Sequence, residues 1–392
     1  MTQEPKIFPY IARLLKGAEV IWKPLGEVVT TITAPTKLNR SEYKQEGSIP
    51  IIDQGIDFIA GYTDEAFTPV KSDTYILFGD HSEHIKYVDF AFIQGADGLK
   101  ILKPKEGNAK YIYYAFINFY HKQLNYKRHW SVAKETIIPL PPLSVQQEIV
   151  RILDKFTQLE AELEAELDCR KRQYEYYRNK LLTFNEIGGG TEIVWKTLGE
   201  VAIKIYSGGT PKTGESEYWE KGTIPWMSSG EVNLGTIYQT EKFITEEGLA
   251  NSSAKFVPVD SLVIALAGQG KTRGKVARIK IKLTTNQSLA ALTFESNKVC
   301  SDYVYHYMVT QYEKLRQISS GSGTRGGLNL QMISNFPIPL PPLSEQQRIA
   351  TILDKFDTLV NSINEGLPRE IELRRKQYEY YREKLLTFTN NQ

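Results

Sequence analysis

Three stretches of this chain carry side chains able to grip phosphates and read base edges. Gly268 to Lys280 reads GQGKTRGKVARIK and presents Gln269, Lys271, Arg273, Lys275, Arg278 and Lys280 without one acidic residue. Ser319 to Gln331, SSGSGTRGGLNLQ, places Arg325 and Asn329 on a glycine-rich loop. Asn125 to Lys134, NYKRHWSVAK, supplies Lys127, Arg128, His129, Trp130 and Lys134 at the corresponding place in an earlier region. Cationic side chains bind phosphate oxygens, and Arg, Asn and Gln can make bidentate bonds to guanine or adenine in the major groove. A solvated basic hairpin would have the same composition. One such loop in each of two matched regions favours DNA.

Catalytic patterns are weak by comparison. An amino-group methyltransferase needs a D/N-P-P-aromatic loop, but here Pro-Pro lies between leucines, twice. Ala265 to Thr272, ALAGQGKT, approaches a phosphate-binding loop. Its first glycine is Ala265, and RGKVARIK then reads as a strand where a helix N-terminus is required. Asp260 with Gln269 and Lys271 is a loose nuclease pattern lacking a clear second carboxylate. His81 and His84, in FGDHSEH, have no third ligand nearby and read as a polar loop. No catalytic site and no metal site are expected, and the chain reads as a non-enzyme.

The elements that must position the basic loops are organised by a duplication. Ile138 to Phe156, IPLPPLSVQQEIVRILDKF, returns as Ile338 to Phe356, IPLPPLSEQQRIATILDKF, with 15 of 19 positions identical. KRQYEYYRNKLLTF at Lys171 to Phe184 returns as RKQYEYYREKLLTF at Arg375 to Phe388, with 11 of 14 identical. EVIWKPLGEV at Glu19 and EIVWKTLGEV at Glu192 open two variable regions with unlike interiors. Such a repeat must be found before any fold is assigned. Short strand signals (TYILF at Thr74, SLVIALA at Ser261, LAALTF at Leu289) alternate with turn residues. An aromatic helix pattern closes each region, from Tyr111 and from Tyr303.

After each Pro-Pro, Ser144 or Ser344 with Gln147 or Gln347 predicts a capped helix start. Apolar residues at Ile149, Ile152, Phe156, Leu159 and Leu163 form one helical face, repeated from Ile349. Helical throughout, Val145 to Phe184 would span about 60 Å. Two such helices most naturally pair antiparallel. The second copy carries four more residues, about 6 Å of helix, and Gly366-Leu367-Pro368 predicts a break in it. The arm FPYIARLLKGAEV is expected to stand before the first domain as Tyr176 to Ile193 stands before the second. Packing alone does not dictate the exposed residues of the repeated YEYYR blocks, so they predict a partner bound twice. The candidate contacts are Gln146, Gln147, Tyr174, Tyr177 and Arg178, with Gln346, Gln347, Tyr378, Tyr381 and Arg382.

The 392 residues are 41% hydrophobic and 24% charged, ordinary for a globular protein, and the net charge of +2 confines any nucleic-acid surface to patches. No apolar run can span a bilayer and no secretory signal is legible. Two unpatterned cysteines, Cys169 and Cys300, fit a reducing cytoplasm.

These doubled motifs, with IPWMSSGEV at Ile224 to Val232, resemble the specificity (S) subunit of Type I restriction–modification systems over nearly the whole chain. The resemblance implies an α+β fold in which two target-recognition domains are separated by two helical regions paired as an antiparallel coiled coil. The divisions would be 1–137, 138–187, 188–337 and 338–392. It implies that each recognition domain reads half of a split, asymmetric site in double-stranded DNA, with the coil as a ruler for the spacer. The implied partners are two modification (M) subunits and restriction (R) subunits. S-adenosylmethionine, ATP and Mg would belong to those partners, with no cofactor in this chain. Base contacts do not carry over from the family, because its recognition domains vary most there. A recognition module of another restriction enzyme type, or a coiled-coil adaptor that does not bind DNA, is the alternative.

Overall fold

The structure is a computed structural model that describes residues 7–184, 193–268, 272–319, 327–362 and 364–388. The chain divides into two compact units, Met1–Ala165 with Arg369–Gln392, and Glu166–Pro368.

In the first unit the EVIWKPLGEV segment becomes strand Ile21–Pro24, paired antiparallel with Ile137–Leu140, so the ends of the recognition domain are stitched together. Beyond this neck lies a four-stranded sheet in the spatial order Val29–Ile32, Leu99–Pro104, Tyr75–Gly79, Ile85–Val88. A three-stranded sheet follows the order Gly61–Thr63, Ile49–Ile52, Ile93–Gln94. Helix Ala109–Phe119 buries Tyr111, Ile112, Ala115 and Phe116 against the larger sheet and the neck.

The second unit repeats this plan despite its unlike sequence. Val194–Thr197 pairs with Pro337–Leu340 in the same register as the first neck. The main sheet runs Ala202–Ser207, Leu289–Phe294, Leu262–Ala265, Val276–Ile279, with Thr236–Ile237 added at the edge. The smaller sheet has the order Lys242–Ile244, Ile224–Met227, Leu283–Thr285, Phe256–Val257. Its first three strands keep the antiparallel-then-parallel pairing of their counterparts. The aromatic segment after Tyr303 forms two helices, Ser301–Thr310 and Tyr312–Ser319, where one was expected.

Helix Leu143–Leu182 is continuous over 40 residues and contributes to both units. In the first unit Val145, Ile149 and Leu153 face the recognition domain, while Phe156 stacks on Tyr381 at 5.4 Å. Arg375 bonds Glu160 and Glu164 at 2.5 and 2.6 Å, so contact moves forward from Phe156 on one helix as it moves back from Tyr381 on the other, and the two run antiparallel. In the second unit Tyr177 stacks on Phe356 at 5.6 Å, the mirror of that pair.

Three local expectations are corrected. Both helices begin one residue before the serines, at Leu143 and Leu343, and the second has no side-chain cap. The carbonyls of Pro142 and Pro342 instead accept the first free N–H groups, from Val145 and Gln146 or from Glu345 and Gln346. The break in the second helical region falls between Asn361 and Gly366, upstream of Pro368, which is tolerated in the first turn of Gly366–Leu386. Gly366 has φ +78°, and a Cβ there would lie 2.5 Å from the Thr358 carbonyl oxygen. Finally, the N-terminal helix Pro9–Leu15 does not fill alone the place expected for it. Leu385, Leu386 and Phe388 join the first-domain core as Leu181, Leu182 and Phe184 join the second.

Candidate nucleic-acid interface

In the first domain the basic loop is built on the turn between strands Tyr75–Gly79 and Ile85–Val88. Glu83, 3% exposed, is the hub. Its Oε2 accepts from Tyr120 Oη at 2.5 Å and from the Gln123 amide at 2.8 Å, and its Oε1 accepts from the Leu124 amide at 2.9 Å. Burial raises the carboxyl's pKa, but these hydrogen bonds outweigh it and hold the group below its ordinary value. Asp80 anchors the loop's far end. Its Oδ1 accepts from the Trp130 amide at 2.8 Å, and its carbonyl accepts from the His129 amide at 2.8 Å.

These bonds hold up a span, residues 121–128, that is exposed throughout. At its crest Tyr126 is 89% exposed and stacks on His81 with ring centroids 5.3 Å apart. The His81 Nδ1 lies 3.1 Å from the Lys127 carbonyl oxygen. Lys122, Lys127 and Arg128 are exposed in the same span. A projecting aromatic side chain flanked by cations, with backbone groups locked from below, suits phosphate contact and contact with base edges in a groove.

The expected contacts therefore separate. Lys127 and Arg128 are placed to meet a ligand. His129 is a correction: it is 3% exposed, with Nε2 at 2.8 Å from the Asn125 carbonyl oxygen, and is a strut inside the loop. Lys134 is exposed but stands at the foot of the loop, where its carbonyl accepts from Gly26.

The second domain uses the equivalent hairpin, Leu262–Ala265 with Val276–Ile279. Leu328 donates to the Leu266 carbonyl oxygen at 3.1 Å, as His129 donates to Asp80 in the first domain. Gln269, Lys271 and Arg325 lie outside the described residues. Arg273 is buried, and Lys275 Nζ donates to Asn233 Oδ1 at 2.6 Å. Asn329 caps helix Leu330–Ser334 by accepting from the Met332 amide at 2.9 Å. Arg278 is the clearest correction. It is buried among Asp302, Asp354 and Asp357, which hold it more firmly charged than burial alone would allow. A guanidinium so enclosed cannot reach DNA.

Among the predicted partner contacts, Gln146 and Gln346 are likewise corrected. Both are buried, and each ties two backbone groups. Gln146 accepts from Asn108 N at 2.9 Å and donates to the Pro141 carbonyl at 2.8 Å. Gln346 accepts from Cys300 N at 3.0 Å and donates to Pro341 at 2.8 Å. Tyr174, Tyr177, Tyr378 and Tyr381 pack in the helix seams, with Arg178 and Arg382 over the Tyr174 and Tyr378 rings. Gln147 and Gln347 are exposed. So are two residues that the sequence reading passed over, Tyr176 at 59% and Tyr380 at 53%, each with a lysine ammonium over its ring.

Of the two loose enzyme patterns, Gln269 and Lys271 lie outside the described residues. Asp260 pairs with Lys280 at 2.9 Å, at the end of the hairpin away from its turn, and Val276–Ile279 is a strand. Among the described residues no group of three or more His, Cys, Asp or Glu could hold a metal, and no helix is long and apolar enough to cross a membrane.

Each unit thus sets two sheets on a strand-paired neck against a long repeated helix. Residues 19–168 and 192–373 match the family of the Type I restriction modification DNA specificity domain, and the chain belongs to this family. It is 41% identical to the Type I restriction enzyme EcoR124I/EcoR124II specificity subunit of Escherichia coli, over 97% of each chain. It is 30% identical to a putative type I restriction enzyme specificity subunit of Haemophilus influenzae, over 97% of this chain and 98% of that one. The fold matches the crystal structure of the Type-I restriction-modification system S subunit from M. genitalium with a TM-score of 0.64 at 16% identity, covering both chains completely. The HsdS subunit from Thermoanaerobacter tengcongensis matches with a TM-score of 0.51 at 18% identity, over 98% of each chain.

Proposed function

We propose that this chain is the sequence-specificity subunit of a Type I restriction–modification complex, reading a split, asymmetric site in double-stranded DNA with one recognition domain per half. The observation that carries the reading is the pair of equivalent hairpins. Each is tied beyond its first strand to the chain that follows the aromatic helix, at Asp80–His129 in one domain and Leu266–Leu328 in the other, on sequences that differ almost completely between the two domains. Like scaffolds with unlike tips suit two unlike half-sites. The cationic side chains of the first span, Lys122, Lys127 and Arg128, would fix the phosphates, and the Tyr126 platform would meet the bases.

The duplicated outward residues Tyr176 with Lys180 and Tyr380 with Lys384 support docking of two modification subunits, with restriction subunits joining that core. The chain itself is assigned no catalytic step. S-adenosylmethionine, ATP and Mg are assigned to the partners, in keeping with the strand that follows the phosphate-loop-like run here. The complex is assigned to the cytoplasm.

Adenine methylation mapped in a methylation-free host tests this. A split motif should appear only when the modification subunit and this chain are expressed together. Replacing residues 20–137 should change one half of the motif and spare the other. Methylation that is independent of this chain would overturn the reading.

A further inference from the structure

The two junctions between recognition sheet and helix occupy corresponding positions but use different chemistry. Arg278 lies across the hairpin from Leu262, which faces Leu292; Tyr87 holds that place in the first domain, across from Ile76 and then Leu102. Asp354 and Asp357 of the repeated helix correspond to Asp154 and Thr157. The second residue beyond the cap of each aromatic helix is Asp302 in one domain and Lys110 in the other.

In the second domain one guanidinium gathers three elements. Arg278 Nε donates to Thr236 Oγ1 at 2.8 Å on the edge strand. Its terminal nitrogens reach Asp302 at 3.3 Å, Asp357 at 3.2 Å, and Asp354. It also lies 4.7 Å over the Tyr305 ring, and His306 Nε2 is 2.8 Å from Asp354. In the first domain the cation sits on the helix instead. Lys110 Nζ is 2.8 Å from Asp154, which also accepts from Tyr114 Oη at 2.7 Å, and the strand contributes only the uncharged Tyr87 ring. So only the second hairpin is tied by an ion cluster to the helix beneath it.

Burying a charge is unfavourable unless its geometry is nearly ideal, and a planar fork fixes direction where a point charge does not. The Arg278 cluster is therefore better suited to fixing an orientation than to adding stability. We propose that Arg278 is a positioning residue: it sets the angle of the second reading hairpin on helix Leu343–Asn361, and so the register in which the second half-site is read. The inference rests on the specificity-subunit reading.

The test uses the complex of this chain with its modification subunit. Methylation is measured on duplexes carrying the cognate spacer and spacers one base pair longer or shorter. Arg278→Met should reduce the preference for the cognate spacer by about tenfold, a difference of roughly 1.4 kcal/mol, and leave the first half-site's base preferences unchanged. Arg278→Lys keeps the charge without the fork. It should fold with an unchanged melting temperature and still lose spacer preference, so it decides the matter if Arg278→Met does not fold. Unchanged spacer preference in a folded Arg278→Lys complex, or an equal loss on every duplex, would overturn the proposal. A parent complex with no split motif at all would instead refute the specificity reading beneath it.

Discussion

Glu83→Gln isolates the support of the first reading loop from its tip. The substitution keeps the size of the side chain and one acceptor oxygen. It removes the charge and turns the other acceptor into a donor facing donors, because Tyr120 Oη, Gln123 N and Leu124 N all point at the carboxylate. Hydrogen bonds to a buried charged group are each worth about 1.5–3 kcal/mol, against about 1 for a neutral one. With one bond misdirected and two weakened, the loop loses about 2–4 kcal/mol of local stability. A loop that is closed only part of the time weakens binding by its closed fraction. Binding of the assembled complex to DNA should fall by up to about thirty- to seven-hundredfold, since each 1.4 kcal/mol is a factor of ten. Amide exchange across residues 121–128 should rise by a similar factor, with second-domain amides unchanged. The pH dependence follows the same group. The folded pKa of Glu83 lies below its ordinary value, so its contribution is complete above the unfolded pKa of about 4.3 and fades as pH falls through the folded value. Protection of the loop in the parent should therefore fade on acidification below about pH 4.3, and in Glu83→Gln it should show no such step. Parent-like exchange and affinity in Glu83→Gln would refute the hub argument.

The other predictions concern the frame. Gln346→Leu strands the Cys300 amide and the Pro341 carbonyl, and Gln146→Leu does the same to Asn108 and Pro141; each should cost about 2–4 kcal/mol in denaturant unfolding. Tyr111→Phe and Tyr303→Phe each remove one buried hydroxyl bonded to Pro139 or Pro339 at 2.8 and 2.7 Å. Both should cost about 1 kcal/mol, and unequal losses would argue against equivalent necks. Tyr176→Ala with Tyr380→Ala should change stability by less than about 0.5 kcal/mol yet abolish modification-subunit binding, with each single change removing one copy by native mass spectrometry.

The helices and the duplication were legible because their signals are local and repeated. Pro-Pro followed by a long 3–4 apolar spacing leaves little choice but a helix, and two near-identical copies imply one structural role. Strand signals at Tyr75, Leu262 and Leu289 were also read correctly, since short apolar runs between turns mark buried strands. The common topology of the two sheets was not legible. Strand order depends on which backbones meet, and unlike interiors can satisfy the same pairing.

Residue roles divided along the same line. Charge at Lys127 and Arg128 followed from their type, and both remain exposed. Arg278 belongs to the basic run Gly268 to Lys280 of the other domain, but helix Leu343–Asn361 and Asp302 bring three carboxylates around it from elsewhere in the chain. Gln146 and Gln346 look like surface residues in a polar motif, and they are spent on backbone groups that only the folded neck brings near. Glu83 carries no sequence signal beyond being an acid in a polar turn, far along the chain from the basic span it supports. The sequence by itself determined the duplication and the helical frame, because these follow from residue type and periodicity along the chain, and it pointed to the class of protein through the resemblance of its doubled motifs to a known family. Tertiary structure decided which cations face outward and which are locked inside. Exposure and ion pairing are set by distances between residues far apart in the chain, and no local pattern encodes them.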